Sequence, residues 1–141
     1  MCPPIDRHED KAVSRILERR QNVDEVIIKQ FEHADEVRVF EKGRFEIVRI
    51  GGLTIGRATY EAGWKWSEHV RPLAGTEFCD VEHVGLVVSG RATAAMIGAD
   101  TVELSAGMLF HVPARAHDSW VIGDEPYVSL HFLGADAYTR S

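Results

Sequence analysis

The residues with the most chemistry in them lie between Gly63 and His117. They fall on three segments that each read as a short strand. The first is Gly63-Trp-Lys-Trp-Ser-Glu-His69-Val-Arg71. The second is His83-Val-Gly-Leu-Val-Val-Ser-Gly90, and the third is Gly107-Met-Leu-Phe-His111-Val-Pro113-Ala-Arg-Ala-His117. Neutral imidazoles brought from separate strands into one interior make a ligand set for Zn, Fe, Ni, Cu or Mn. His69, His83 and His117 are the candidates. Cys79 is a candidate fourth ligand, and its sulfur shifts the preference toward zinc or another thiophilic metal.

Successive side chains on a strand point to opposite faces. Read as a strand, Trp64–Arg71 therefore puts Lys65, Ser67, His69 and Arg71 on one face and Trp64, Trp66 and Glu68 on the other. A guanidinium keeps its charge, so Arg71 beside a dication makes sense if an anionic substrate lies between them, where its fork matches a carboxylate. Lys65 and Glu68 are placed with it as substrate-side residues that assist proton transfer. Each histidine also has a plainer reading as a hydrogen-bonded interior imidazole, and Cys79 as a small buried hydrophobe. His111 reads as a pocket-lining or outward strand residue beside Phe110. His131 alternates with Phe132 on a late strand, and His8 and His33 read as surface. Trp64, Trp66 and Trp120 read as packing residues.

These residues need a scaffold of short strands. The pattern predicts strands over Val26–Phe31, Arg44–Ile50, Leu53–Tyr60, Trp64–Arg71, Val81–Val88, Arg91–Ile97, Thr101–Leu104, Met108–Val112, Trp120–Ile122 and Tyr127–Leu133. Asp35–Phe40 is ambiguous between strand and a turn of helix. Glycine-bearing turns at Gly51-Gly52, Ser89-Gly90, Ser105-Ala-Gly107 and Gly123-Asp-Glu-Pro126 punctuate the series. Many short strands with no helical pattern between them indicate an all-β sandwich or barrel. Residues 1–25 differ: they are densely charged, with Ala12, Val13, Ile16 and Leu17 at helical spacing. They predict a short N-terminal helical extension, a helix from about Asp10 to Gln21, ahead of one domain over residues 26–141.

Composition excludes several functions. The 141-residue chain has a formal net charge of −6, which argues against nucleic acid or an anionic membrane surface as partner, since both want a basic face. No run of apolar residues is long enough to span a bilayer. The N-terminus lacks the apolar region of a signal peptide, and Cys2 and Cys79 do not make a disulfide framework. A cytoplasmic setting is the expectation. The chain has no phosphate-cradling loop, no Gly-x-Ser-x-Gly elbow and no Cys-x-x-Cys pair.

Two glycine-anchored motifs resemble those of the cupin superfamily. Gly63, five residues and His69 match the opening of the first motif, and His83, six residues and Gly90 match its close. Gly107, five residues and Pro113 match the opening of the second, with His117 close behind. The likeness spans about residues 26–135. The wording around Tyr60–Val70 and Gly123–Pro126 is similar to small single-domain bacterial cupins. The resemblance implies a double-stranded β-helix, the RmlC-like jelly-roll barrel, and a homodimer. The departures matter as much. Arg71 stands where the family has its second histidine, and His83 where it has glutamate. The Pro72–Asp80 segment, with Cys79, stretches the first motif. In the second, Arg115 replaces a glycine and the closing asparagine is absent.

The expected function is a metal-binding cupin acting on a small polar or anionic molecule. It would hold a divalent ion (Zn, Fe, Ni or Mn) and run dioxygenase, isomerase, lyase or hydrolase chemistry. The alternative is a non-catalytic domain that binds or senses a small molecule, favoured by Arg71 in place of a ligand and by the missing glutamate.

Overall fold

A computed structural model of the protein describes residues 24–137. The helix predicted for Asp10–Gln21, and Cys2, lie outside the described residues. The first three strands form a meander: β1 (Glu36–Phe40), β2 (Gly43–Ile50) and β3 (Leu53–Tyr60). Two-residue turns join them, closing Phe40 against Gly43 and Ile50 against Leu53. Gly51 and Gly52 both take positive φ, 59° and 79°, which suits the tight hairpin turn that matches strand twist. The ambiguous Asp35–Phe40 stretch thus resolves as strand.

Two short helices follow, α1 (Trp66–His69) and α2 (Arg71–Ala74), and then β4 (His83–Ser89), β5 (Arg91–Met96), β6 (Thr101–Ser105), β7 (Leu109–Val112), β8 (His117–Asp118) and β9 (Tyr127–Leu133). The strands form a six-stranded sheet in the order β1-β2-β3-β9-β4-β7 and a three-stranded sheet in the order β6-β5-β8. Every pairing is antiparallel. The last strand, β9, lies in the middle of the larger sheet. Residues of both sheets share one buried cluster: Phe45, Ile47, Ala58, Tyr60, Val87 and Tyr127 from the larger, Ala92 from the smaller.

Three predicted strands are corrected. The Val26–Phe31 segment pairs with no strand and ends in a 3₁₀ turn at Phe31–His33. Its β-branched residues stand in the open, Val26 88% and Ile28 82% exposed, so it has the propensity but no partner edge. Trp120–Ile122 makes only isolated bridges, Trp120 to Lys65 and Val121 to Ala92. The Trp64–Arg71 segment is mostly helical. Trp66 and Val70 are both buried, at the four-residue spacing that stacks side chains on one helix face.

A four-residue helix has no stability of its own, and tertiary contacts hold this one. The Ser67 amide donates to Asp118 Oδ1 (3.1 Å) and the Ser67 hydroxyl to Asp118 Oδ2 (2.7 Å). The Lys65 amide donates to His69 Nδ1 at 2.9 Å, a side chain reaching back to the N-cap as in a capping box. Just before the helix, the Trp64 ring stacks on Tyr60 with centroids 3.8 Å apart and planes within 5°. Burying an indole of this size is worth on the order of 5 kcal/mol, enough to pin the segment against the core. The shared strand face expected for Lys65, Ser67, His69 and Arg71 is therefore absent.

Candidate metal centre

Cys79 lies in the stretch leading to β4 and pairs with β8. Its amide donates to the His117 carbonyl (3.1 Å), and the His117 amide donates back to the Cys79 carbonyl (2.9 Å). His83, four residues on, opens β4. All three side chains are buried, and their ligand atoms lie within 4.8 Å of one another. Cys79 Sγ is 3.5 Å from His83 Nε2. The two imidazole rings meet edge-on, centroids 5.5 Å apart at 77°. His117 Nδ1 lies 2.7 Å from the Arg115 carbonyl. A carbonyl only accepts, so Nδ1 carries the proton and Nε2 keeps its lone pair. A second polar partner of this kind commonly fixes the tautomer of a ligating histidine.

Burial sets the protonation of the trio. It holds His83 well below the usual histidine range, helped by His131 and His117 nearby. It also lowers His117, against the opposing pull of the Arg115 carbonyl and of Asp80 and Asp118. Both imidazoles are thus neutral at pH 7 and ready to donate a lone pair. Burial pushes the Cys79 thiol up to about 12, so without a cation it keeps its proton. A metal would have to displace that proton, the ordinary coupling of thiolate ligation to pH. Two neutral imidazoles and one thiol, with no carboxylate among them, fit a thiophilic divalent ion.

The trio opens on a cavity of about 50 Å³ between the two sheets. Its walls are largely aromatic, with Tyr60, Trp64, Trp66, Phe110 and Tyr127. At the back stands His131, which reading β9 as a strand with Phe132 did not single out. Tyr127, Ser129 and His131 form the inward row of β9. In register, His131 faces Gly56 on β3 and Gly85 on β4. A Cβ on Gly56 would strike the Phe45 ring, and one on Gly85 the Leu130 carbonyl and the Phe110 ring. The two glycines make room for phenylalanine rings that flank the imidazole, at centroid distances of 5.3 Å and 5.7 Å. His131 Nε2 is 3.0 Å from Ser129 Oγ, and its ring meets His83 at 5.3 Å. Burial lowers its pKa to about 4.

The other residues singled out in the sequence are placed elsewhere. His69 is half-buried on α1, its Nδ1 engaged by the Lys65 amide, and it stands outside the Cys79-His83-His117 group. Arg71 starts α2, with its guanidinium over the Phe78 ring at 5.3 Å. Lys65 Nζ lies over the Trp120 ring at 5.2 Å and 4.0 Å from Asp118 Oδ2. Glu68 is exposed. None of these four lines the cavity. His111 is exposed and pairs with Glu82 at 2.8 Å, and His33 is at the surface. Trp64 and Trp66 belong to the core.

Asp118 is the residue the sequence reading passed over. It follows His117 directly, caps α1 from across the fold, and also accepts from the Ser119 amide at 2.9 Å. It thereby ties β8, which carries His117, to the helix that walls the cavity. An aspartate next to a candidate ligand is the only signal of this in the sequence.

No protein-family model matches the chain, and no curated protein matches it. Solved structures do. A protein of unknown function from Rhizobium leguminosarum bv. viciae 3841 superposes with a TM-score of 0.54 at 19% identity, over 76% of this chain and 94% of that one. A protein of unknown function (DUF1255) from Acidithiobacillus ferrooxidans gives 0.53 at 21% identity, over 70% and 86%. Oxalate decarboxylase from Bacillus subtilis gives 0.52 at 18% identity, over 79% of this chain but 33% of that one, so the chain spans about a third of the decarboxylase's length. At such identities the likeness shows the fold alone. That fold is cupin-like.

Proposed function

We propose that this chain is a metal-dependent cupin that acts on a small molecule in the cavity between its sheets. The ion is held by Cys79, His83 and His117. The observation that carries the reading is the convergence of their ligand atoms within 4.8 Å in a buried site. Three protein ligands leave a position open, and a divalent ion there supplies Lewis acidity to a bound oxygen or nitrogen atom. The chain's own residues do the rest. The Arg115 carbonyl holds His117 in the tautomer that presents Nε2. Asp118 fixes β8, which carries His117, against α1. The aromatic walls lower the polarity around the site, which strengthens electrostatic contacts inside. His69 stays outside the ligand set because its ring does not converge with these three.

Metal content tests the reading. Protein purified without a metal-binding tag is expected to retain or take up about one equivalent of a divalent ion, and a His83→Ala/His117→Ala variant to hold none. Less than about a tenth of an equivalent in the parent after reloading would sink the proposal. Metal bound equally by parent and variant would move the site elsewhere.

The reading also places the protein in the cytoplasm as a homodimer. Edge strand β1 supports a dimer, with Val37 and Val39 turned outward and exposed, since an apolar strand edge invites pairing. A light-scattering mass near the 15.8 kDa of one chain would contradict it.

A further inference from the structure

We infer that the cavity takes a small, uncharged ligand bearing a hydrogen-bond acceptor, and turns away carboxylates and ring-sized molecules. The inference rests on the proposed Cys79-His83-His117 metal site and narrows what that site can receive.

Three observations carry it. The first is size. A cavity of about 50 Å³ holds only a few water-sized groups, given that one water needs roughly 10–15 Å³ measured this way. An ion would take part of that space. Whole side chains line it, Phe110 and Leu104 among them, and Phe110 is seated over Gly85, where a Cβ would displace it.

The second is charge. No lysine or arginine lines the cavity, and its one carboxylate is that of Asp118. The cations expected from the sequence to receive an anion are committed elsewhere, Arg71 to Phe78 and Lys65 to Trp120 and Asp118. With a divalent ion bound, the Cys79 thiolate offsets one of its charges, and the Asp118 carboxylate, held by Ser67, Ser119 and Lys65, already stands on the cavity wall. A ligand anion would then have the ion alone as its partner, with no lysine or arginine beside it and a carboxylate already on the wall, against a desolvation cost of several kcal/mol.

The third is an unspent donor. Trp64 lines the cavity, and its indole Nε1–H is buried with no hydrogen-bond partner among the described residues. A buried donor left unpaired is costly, and an acceptor atom on a ligand relieves that cost.

Cobalt(II)-loaded protein gives the test, because the visible bands of the ion report any change at its open position. Hydroxylamine, neutral near pH 7.5 and built of two heavy atoms, is expected to shift the bands at least about tenfold more tightly than acetate, oxalate or pyridine. Phe110→Ala is expected to admit pyridine, and Leu104→Ala provides a second opening of the same wall should the first variant not fold. Cobalt bound with its thiolate band, yet acetate or oxalate matching hydroxylamine, overturns the inference and leaves the metal site standing. Pyridine binding to the parent as well as to an opened variant overturns the size limit. Failure to bind cobalt at all removes the metal reading and this inference with it.

Discussion

Replacing Cys79 by serine is expected to weaken zinc binding by more than about a hundredfold while the metal-free domain still folds. The first half follows from ligand chemistry. The sulfur, 3.5 Å from His83 Nε2, is the one donor of the trio that becomes an anion on the metal. A serine hydroxyl keeps its proton at neutral pH and is a poor match for a thiophilic ion. Altering an outer partner alone commonly costs 10–100-fold in metal affinity, and this change touches a ligand itself. The second half follows from packing. The thiol is buried and protonated, a small hydrophobe in the core cluster, so the hydroxyl costs about 1–2 kcal/mol of folding stability. Competition against a chromophoric chelator reads the affinity, and urea unfolding in chelator reads the stability. An affinity within about threefold of the parent would remove Cys79 from the ligand set.

Lowering the pH from about 6.5 to 4 is expected to cost the metal-free protein on the order of 3 kcal/mol of stability through His131 alone. In the folded protein the His131 imidazole stays neutral down to about 4, because it is enclosed by Phe45, Phe110 and His83. In the unfolded chain it protonates near the ordinary histidine value. Between those values the unfolded state binds the extra proton, so stability is whole above the upper one and is lost as pH falls toward the lower. His83 and His117, both lowered by burial, act in the same direction. Urea midpoints taken in chelator across this range read the slope, and His131→Asn is expected to flatten it. A slope unchanged by that substitution would mean His131 is not held neutral in the fold.

The sequence carried most of the strands and the three residues that meet in the candidate site, but not the contacts that join distant segments. Leu53–Tyr60 and Tyr127–Leu133 are strands with the bounds their alternation predicts, since each contains enough local pattern to define itself. His83 and His117 came from spacing relative to Gly90 and Pro113, and that spacing survives because turns position both strands. Gly90 shows why. Its φ is 76°, and an added Cβ there would strike the Pro126 carbonyl. Trp64–Arg71 was misread because alternating aromatic and polar residues imitate a strand, whereas the helix is made by Asp118, 51 positions from Ser67. His131 was read only as a late-strand residue beside Phe132 for a similar reason. Its seat is cut by Gly56 and Gly85, which meet it only through sheet register. Arg71 was assigned to a substrate on the strength of a strand face that the helices remove.

X-ray absorption on the zinc-loaded protein tests the central claim most directly. A site built from Cys79, His83 and His117 predicts one sulfur at about 2.3 Å and two imidazole nitrogens at about 2.0–2.1 Å, with a light atom completing four-coordination. A spectrum with no sulfur, or with three or more imidazoles around the ion, would contradict it.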